Sequence, residues 1–419
     1  MTTGLDVATL RNGAVLVPAL LAGVLWVAAP AERVGAALAT LWNVVWLAVL
    51  NAVAIEAGWW AFGTDGLMWS GMPLDVVLGW ALLWGAVPVL LMRWVNPLVT
   101  VAVLVAADIV EMGGLAPLVS LRSGWWAGEL LGVLLCLLPA VLLGWATAAG
   151  RMLWVRAGLQ VVLFGALLLF VIPAATFALT GTSWLQAWHR IGGPADGALL
   201  QIAAVLVLIA LSAVAEFARH GGTPFPWDPP QALVTSGPYA YLANPMQVCA
   251  VLLLVTAAAV VGAPGLVLAA AISVVFSAGI AGWHERDQLV ARFGAPWQEY
   301  RRAVHDWVPR LRPYPHRAPA RLYVAVTCDP CSQVAGWLRR RHPVALTLEP
   351  AEDHPQDLRR VRYESDSVVL QGTRAVGAAL EHISLGWALV GWVMRAPVIG
   401  WFVQLLADAV GAGPRSVSR

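Results

Sequence analysis

The 419-residue chain contains no lysine, and all 26 of its basic residues are arginine. That choice points to a GC-rich bacterial genome and carries no mechanistic weight. Charge of either sign is scarce: Asp, Glu, Lys and Arg make up 12% of the chain, where a soluble protein would carry roughly 25%. With 59% hydrophobic residues and a mean hydropathy of +0.72, an ordinary soluble globule is excluded and an integral membrane protein is indicated. Cysteine is rarer still. Cys136 and Cys249 stand alone in apolar runs, and only Cys328 and Cys331 lie close together, as a Cys-x-x-Cys. Four cysteines so placed exclude a disulfide-stapled scaffold and leave one redox or metal candidate. The little charge there is divides unevenly, with 8 Arg against 11 acids in residues 1–282 and 18 Arg against 13 acids in residues 283–419. Two kinds of segment therefore meet near residue 283.

What is abundant is long apolar sequence. A bilayer core of about 30 Å is crossed by about 20 apolar helical residues. Nine spans are predicted, centred on 13–30, 35–55, 76–93, 97–113, 126–149, 157–179, 197–216, 246–262 and 265–283. The first lacks a cleavable small-residue site followed by polar sequence, so it reads as a span rather than a signal peptide. Arginine in short loops orients the chain. With the Arg-rich C-terminal segment in the cytosol, Arg33, Arg93, Arg151, Arg156 and Arg219 are cytosolic, while Arg11, Arg122 and Arg190 are outside. The expected setting is a bacterial inner membrane, with the N-terminus and the 59–75 loop external and the C-terminus cytosolic. The pairs Trp59-Trp60 and Trp125-Trp126 at span ends read as an interfacial aromatic belt. Within the spans, Asp108 and Glu111 share one helix face by their i, i+3 spacing. They would either hold a cation or an amine, or sit hydrated near the external end of the span. Glu56 and Glu129 lie at span ends.

Between the seventh and eighth runs the chain becomes Arg219-His220-Gly221-Gly222-Thr223-Pro224-Phe225-Pro226-Trp227-Asp228-Pro229-Pro230, then Gly237-Pro238-Tyr239 and Asn244-Pro245-Met246. Repeated proline forbids a helix and fixes φ, so this loop is rigid. A two-span hairpin follows, then His284-Glu285-Arg286-Asp287, Phe293-Gly294 and Glu299-Tyr300-Arg301-Arg302. A Pro-fixed loop and a charged helix thus meet at the two cytosolic ends of one hairpin, which makes a pocket at the membrane surface.

Over about 219–313 these elements, in this order, resemble the isoprenylcysteine carboxyl methyltransferase family, which includes phospholipid methyltransferases. The resemblance implies S-adenosylmethionine bound at the cytosolic face, a lipophilic or lipid acceptor entering from the bilayer, and direct transfer of one methyl group. It places Tyr239, Asn244, Pro245, Met246, Glu285 and Tyr300 at the cofactor, with Glu285 also catalytic. Three positions depart from the family pattern: Ala243 stands where an arginine is usual, Gln247 where a tyrosine often follows Pro-Met, and Glu285 alone represents a run of adjacent acids. A carboxylate or an aromatic face suits a methyl sulfonium, since either attracts positive charge.

A Pro/Arg-rich linker at 314–321 leads to Arg321–Thr327, which reads as a strand, a Cys328-Asp329-Pro330-Cys331 turn, a helix over Ser332–Arg341 and a second strand over Val344–Leu348. A strand feeding a Cys-x-x-Cys at a helix N-terminus is a thioredoxin-like arrangement, and the helix end lowers the pKa of the first thiol. With Leu370–Val376, Leu385-Gly386-Trp387 and Arg395-Ala396-Pro397, the segment 322–410 resembles DCC-type thiol-disulfide oxidoreductases, which implies that Cys328 and Cys331 exchange disulfides with a thiol partner. A structural zinc would need two more ligands, for which only His342 and His354 are at hand, so no metal is assigned; two inert thiols remain the other alternative. The apolar run 378–410, broken by Arg395 and Pro397, reads as surface helices, and Arg339-Arg340-Arg341 is too short a run to argue for nucleic acid.

The expected architecture is an α-helical polytopic membrane protein of about nine spans with a small C-terminal α/β thioredoxin-like domain. Its parts are an N-terminal bundle of unknown role (1–190), a methyltransferase-like membrane domain (191–313), a linker (314–321), the Cys-x-x-Cys domain (322–412) and a tail (413–419). The expected function is an S-adenosylmethionine-dependent membrane methyltransferase with a fused redox domain. The alternatives are a membrane-tethered thiol-disulfide oxidoreductase with a vestigial methyltransferase core, or a non-enzymatic membrane binding protein.

Overall fold

A computed structural model describes residues 6–63, 67–281, 289–327 and 329–413. By compactness the chain divides into Met1–Trp184 and Leu185–Arg419.

The first unit is a helical bundle of six apolar helices long enough to cross a membrane: α1 Val7–Ala28, α2 Pro30–Glu56, α3 Leu74–Leu91, α4 Pro97–Gly114, α5 Trp125–Ala148 and α6 Leu153–Thr180. Their starts are read from the chain. The Asp6 carboxylate accepts from the Thr9 amide at 3.1 Å, and Asn96 accepts from the Leu98 amide at 2.9 Å with Pro97 next in line, so each side chain satisfies an amide that the first helical turn leaves open. Three helices contain one wide π-type turn, at Leu82–Ala86, Gly132–Leu137 and Leu167–Val171. Pro88, Pro139 and Pro173 follow, each two residues after the turn's last residue. Proline lacks the N–H and crowds the carbonyl four residues back, and the widened turn accommodates both effects. Small residues bring the helices close. A Cβ on Gly35 would lie 2.3 Å from the Gly144 carbonyl, and one on Gly79 would lie 2.2 Å from that of Ala14; such close backbone approach is how helices pack where lipid offers no hydrophobic drive. Trp60–Phe62 (β1) and Val119–Leu121 (β4) form an antiparallel ribbon at one end, and Met68–Trp69 (β2) pairs with Met72–Pro73 (β3). Trp60, expected in the interfacial belt, is only 6% exposed and belongs to the core, whereas Trp126 is exposed.

The second unit opens with a seventh helix of spanning length, α7 Pro194–Arg219. Of the nine expected spans, seven are helices of spanning length among the described residues, and the last two runs are the shorter apolar helices α8 Pro245–Val261 and α9 Gly265–Gly279. Gly262, with φ +62°, closes α8, and the Arg190 guanidinium donates to the carbonyls of Val261 and Gly262 at 3.2 and 2.9 Å, a favourable place for a cation. After α10, Ala295–Ala303, the chain enters a four-stranded sheet of order β6-β5-β7-β8, with β5 Ala320–Val324, β6 Leu346–Pro350, β7 Arg362–Ser365 and β8 Val369–Gln371. β5 and β6 are parallel and joined through α11, Asp329–Arg339, while β7 and β8 are antiparallel. Helices α12 Thr373–Leu380, α13 Leu385–Arg395 and α14 Pro397–Ala407 complete this part. The Arg395-Ala396-Pro397 break expected from the sequence bends the last two apolar helices by 91°. α13 packs on this unit, with its Ala388 and Trp392 buried against Ala240 and Tyr241.

Candidate functional site

The C-terminal end of α7 fixes the base of the site. Glu216, 5% exposed, pairs with Arg219 at 2.6 Å and accepts a hydrogen bond from the Ser236 hydroxyl, so the helix end is tied to the far end of the proline-rich loop. Gly221 turns the chain at φ +83°, and the Gln231 amide returns to the His220 carbonyl at 2.7 Å. Gly222 must lack a side chain, since a Cβ there would lie 2.7 Å from the Pro230 nitrogen and 2.8 Å from its Cα. Within the loop the Thr223 hydroxyl donates to the Asp228 carboxylate at 2.7 Å and the Thr223 amide to the Asp228 carbonyl at 3.1 Å. Proline supplies no amides, so these few hydrogen bonds close the loop.

The next stretch, 237–244, is held by the chain that follows α10. The Ala243 amide donates to the His305 carbonyl at 2.9 Å, the Arg310 amide to that of Tyr241 at 2.9 Å, and the Tyr314 amide to that of Ala240 at 2.8 Å. The Tyr300 hydroxyl, on α10, donates to the Tyr239 carbonyl at 2.8 Å, while the Tyr239 ring stacks on Phe217 with centroids 5.5 Å apart. Asn244 precedes α8, and its amide donates to Asp306 at 2.8 Å; Asp306 in turn is paired with Arg301. Arg301 lies over the Trp297 ring, 5.5 Å from its centroid. Burial pushes the Tyr241 phenol above its usual range, with Arg317 partly opposing, and its hydroxyl donates to the Glu381 carbonyl at 2.9 Å.

These constraints leave a cleft with a cavity volume of about 90 Å³. Five residues singled out in the sequence line it: Tyr239, Asn244, Pro245, Met246 and Tyr300. Glu285 falls outside the described residues. Phe217, Leu233 and Trp297, which the sequence reading did not single out, complete the apolar wall with Phe225 and Phe293, which stand in its motifs but were not assigned to the site. Trp297 was detectable, being three residues before Tyr300 and so on the same helix face; Phe217 was hidden inside an unbroken apolar run. None of the described lining residues carries a charge. A more polar cleft adjoins and shares Asn244 and Trp297; it is lined also by Arg301, Arg302 and Asp306. The exposed Arg302 has no ion-pair partner among the described residues. Thus the cation expected at position 243 is absent there, and Arg302 offers one nearby.

The Cys-x-x-Cys is described only in part, since Cys328 lies outside the described residues. Cys331 sits in the first turn of α11, half-buried against the sheet core. The Glu352 carboxylate accepts from the amides of Val326 and Thr327 at 3.0 and 3.3 Å, holding the loop that leads into the motif. Slight burial would raise its pKa, but the backbone amides of Glu352, Val326 and Thr327 together hold it below the usual range. His354, weighed as a zinc ligand, is occupied by Glu364 at 3.3 Å and by the Gln356 amide at 3.0 Å.

In comparisons with known proteins, a model of the phospholipid methyltransferase family matches residues 195–295, which span α7, the proline-rich loop, both helices of the hairpin and the start of α10. No curated protein and no solved structure matches the chain. The matched quarter is similar to membrane methyltransferases, and it contains most of the cleft wall.

Proposed function

We propose that the chain is a membrane methyltransferase that uses S-adenosylmethionine and acts on a lipophilic acceptor. The observation that carries this reading is the convergence of Tyr239, Asn244, Met246 and Tyr300, from three separate segments, on one uncharged aromatic cleft whose wall lies mostly within the stretch similar to phospholipid methyltransferases. The residues present fit the cofactor. Aromatic faces on Tyr239, Phe217 and Trp297 attract a sulfonium without neutralising it, no arginine in the cleft wall repels it, and Arg302 on the adjoining rim suits a carboxylate. Bound there, S-adenosylmethionine would supply an electrophilic methyl group. The chain's own contribution is positional. Tyr300 holds the Tyr239 backbone, and the Asp306–Arg301 pair aims the Asn244 amide, so the reacting groups are oriented in advance. Orientation of that kind supplies about 7 to 11 kcal/mol in favourable cases. The acceptor is proposed to arrive along Met246 and Gln247, where α8 begins.

Calorimetry on the purified full chain tests the cofactor. Wild type binds S-adenosylmethionine, and Asn244→Ala binds at least tenfold more weakly, a loss of about 1.4 kcal/mol. Folded wild type that does not bind, or an Asn244→Ala variant that binds equally well, removes the site.

We propose a second, redox activity for the sheet domain, in which Cys328 and Cys331 exchange disulfides; the reading rests on the Cys-x-x-Cys spacing, with Cys331 in the first turn of a helix that joins two parallel strands.

A further inference from the structure

We infer that the N-terminal bundle holds a binding site for a small organic ammonium ion, formed where Asp108 of α4 meets Glu129 of α5 inside a tryptophan-walled cavity. The sequence suggested Asp108 with Glu111, yet Glu111 is exposed. Asp108 instead lies beside Glu129 and Trp80, all three lining one cavity. Spacing along one helix could not reveal this pair, which depends on the register between two helices.

An ionisable group in a membrane-spanning helix costs about 2.5 to 3.5 kcal/mol on insertion scales, and two together are retained only with a partner. Neither acid has an ion-pair partner among the described residues. Glu129 is 7% exposed, and its Oε1 has no hydrogen-bond partner among them. Both acids line a small cavity of about 50 Å³ together with Trp60, Trp80 and Trp84. The cavity is built by absence on α5. A Cβ on Gly128 would lie 2.2 Å from the Trp60 ring and one on Gly132 would lie 3.3 Å from Trp84, so glycine at both positions lets the indoles close in beside Glu129. Trp60 is itself fixed, donating from Nε1 to Asn51 Oδ1 at 3.0 Å.

This chemistry selects the ligand. Two carboxyls side by side resist ionising together, so the pair favours a single negative charge, which matches a monocation. Indole faces favour a large, weakly hydrated cation such as a quaternary ammonium. A divalent metal is disfavoured, because calcium takes six to eight oxygens and Asn51, the next oxygen at hand, is already engaged by Trp60. Among the described residues no group of three or more His, Cys, Asp or Glu converges on a metal position.

Equilibrium dialysis of the full chain in lipid nanodiscs against radiolabelled tetramethylammonium tests the proposal. The expected result is saturable binding of one cation per chain, weakened at least tenfold in Glu129→Gln and in Asp108→Asn, whose amides keep the carboxyl shape, and in Trp84→Leu. Each variant is first shown to melt as wild type does. Three results would overturn the proposal: no saturable binding by folded wild type, equal binding by the folded variants, or displacement of the probe by stoichiometric calcium, which would make the site a metal site.

Discussion

At His382 the surrounding groups decide which ring nitrogen carries the proton. Nδ1 lies 2.7 Å from the Val344 carbonyl, which can only accept, so Nδ1 donates; Nε2, 2.9 Å from the Tyr363 hydroxyl, must then accept. That hydroxyl keeps its proton, since burial pushes the Tyr363 phenol up to about 12. Burial first, and Arg317 second, hold His382 well below its usual value near 6.5, with the Val344 acceptor partly opposing. The unfolded chain therefore takes up a proton near pH 6.5 that the folded chain refuses. His382 contributes its full stability above that pH and loses it progressively as the pH falls toward the folded value, at up to about 1.4 kcal/mol per pH unit. The melting temperature of the intact chain should drop between pH 7 and pH 5. His382→Gln should flatten that drop while lowering the melting temperature at pH 7; a slope equal to that of wild type would contradict the assignment. Such networks are illegible in sequence, because Val344, Tyr363 and His382 come from three separate segments, two turns and a strand.

At the scale of elements, the proline-rich loop was legible and the hairpin after it was less so. Repeated proline excludes a helix whatever the surroundings, and the loop from 220 to 236 is indeed non-helical. Apolar composition, by contrast, counts residues without marking where a helix stops, and α8, with 17 residues, lies at the lower limit of spanning length. Space within the loop gives the sharpest element-scale prediction. Gly222→Ala sets a Cβ against the Pro230 backbone, which cannot swing aside as a side chain could, and overpacking of this kind costs about 1 to 3 kcal/mol. The variant should melt earlier and bind S-adenosylmethionine more weakly. Gly158→Ala, with nothing within 4 Å of its added Cβ, should match wild type in both measurements. Equal behaviour of the two variants would remove the loop from the site's support.

At the scale of the molecule, charge arithmetic revealed two kinds of segment but not how closely the second unit is knit. Arg317, with 1% of its side chain exposed, donates to the Glu381 carbonyl at 2.6 Å, and Glu381 is paired with Arg395. Tyr241 reaches the same carbonyl and meets the Trp392 ring edge-on at 6.1 Å. The helices below the sheet are thus packed directly on the residues that precede Asn244, and the cleft and the Cys331 helix belong to one compact unit. Such long-range pairing leaves no periodic trace in sequence, whereas the cleft residues could be named from an ordered set of local motifs. The central claim is methyl transfer itself. The most direct measurement follows tritium from methyl-labelled S-adenosylmethionine into the organic extract of membrane vesicles carrying the chain. Wild type should label a lipophilic product, Gly158→Ala should match it, and Asn244→Ala should fall at least tenfold; no label with folded wild type, or equal label with Asn244→Ala, would contradict the account.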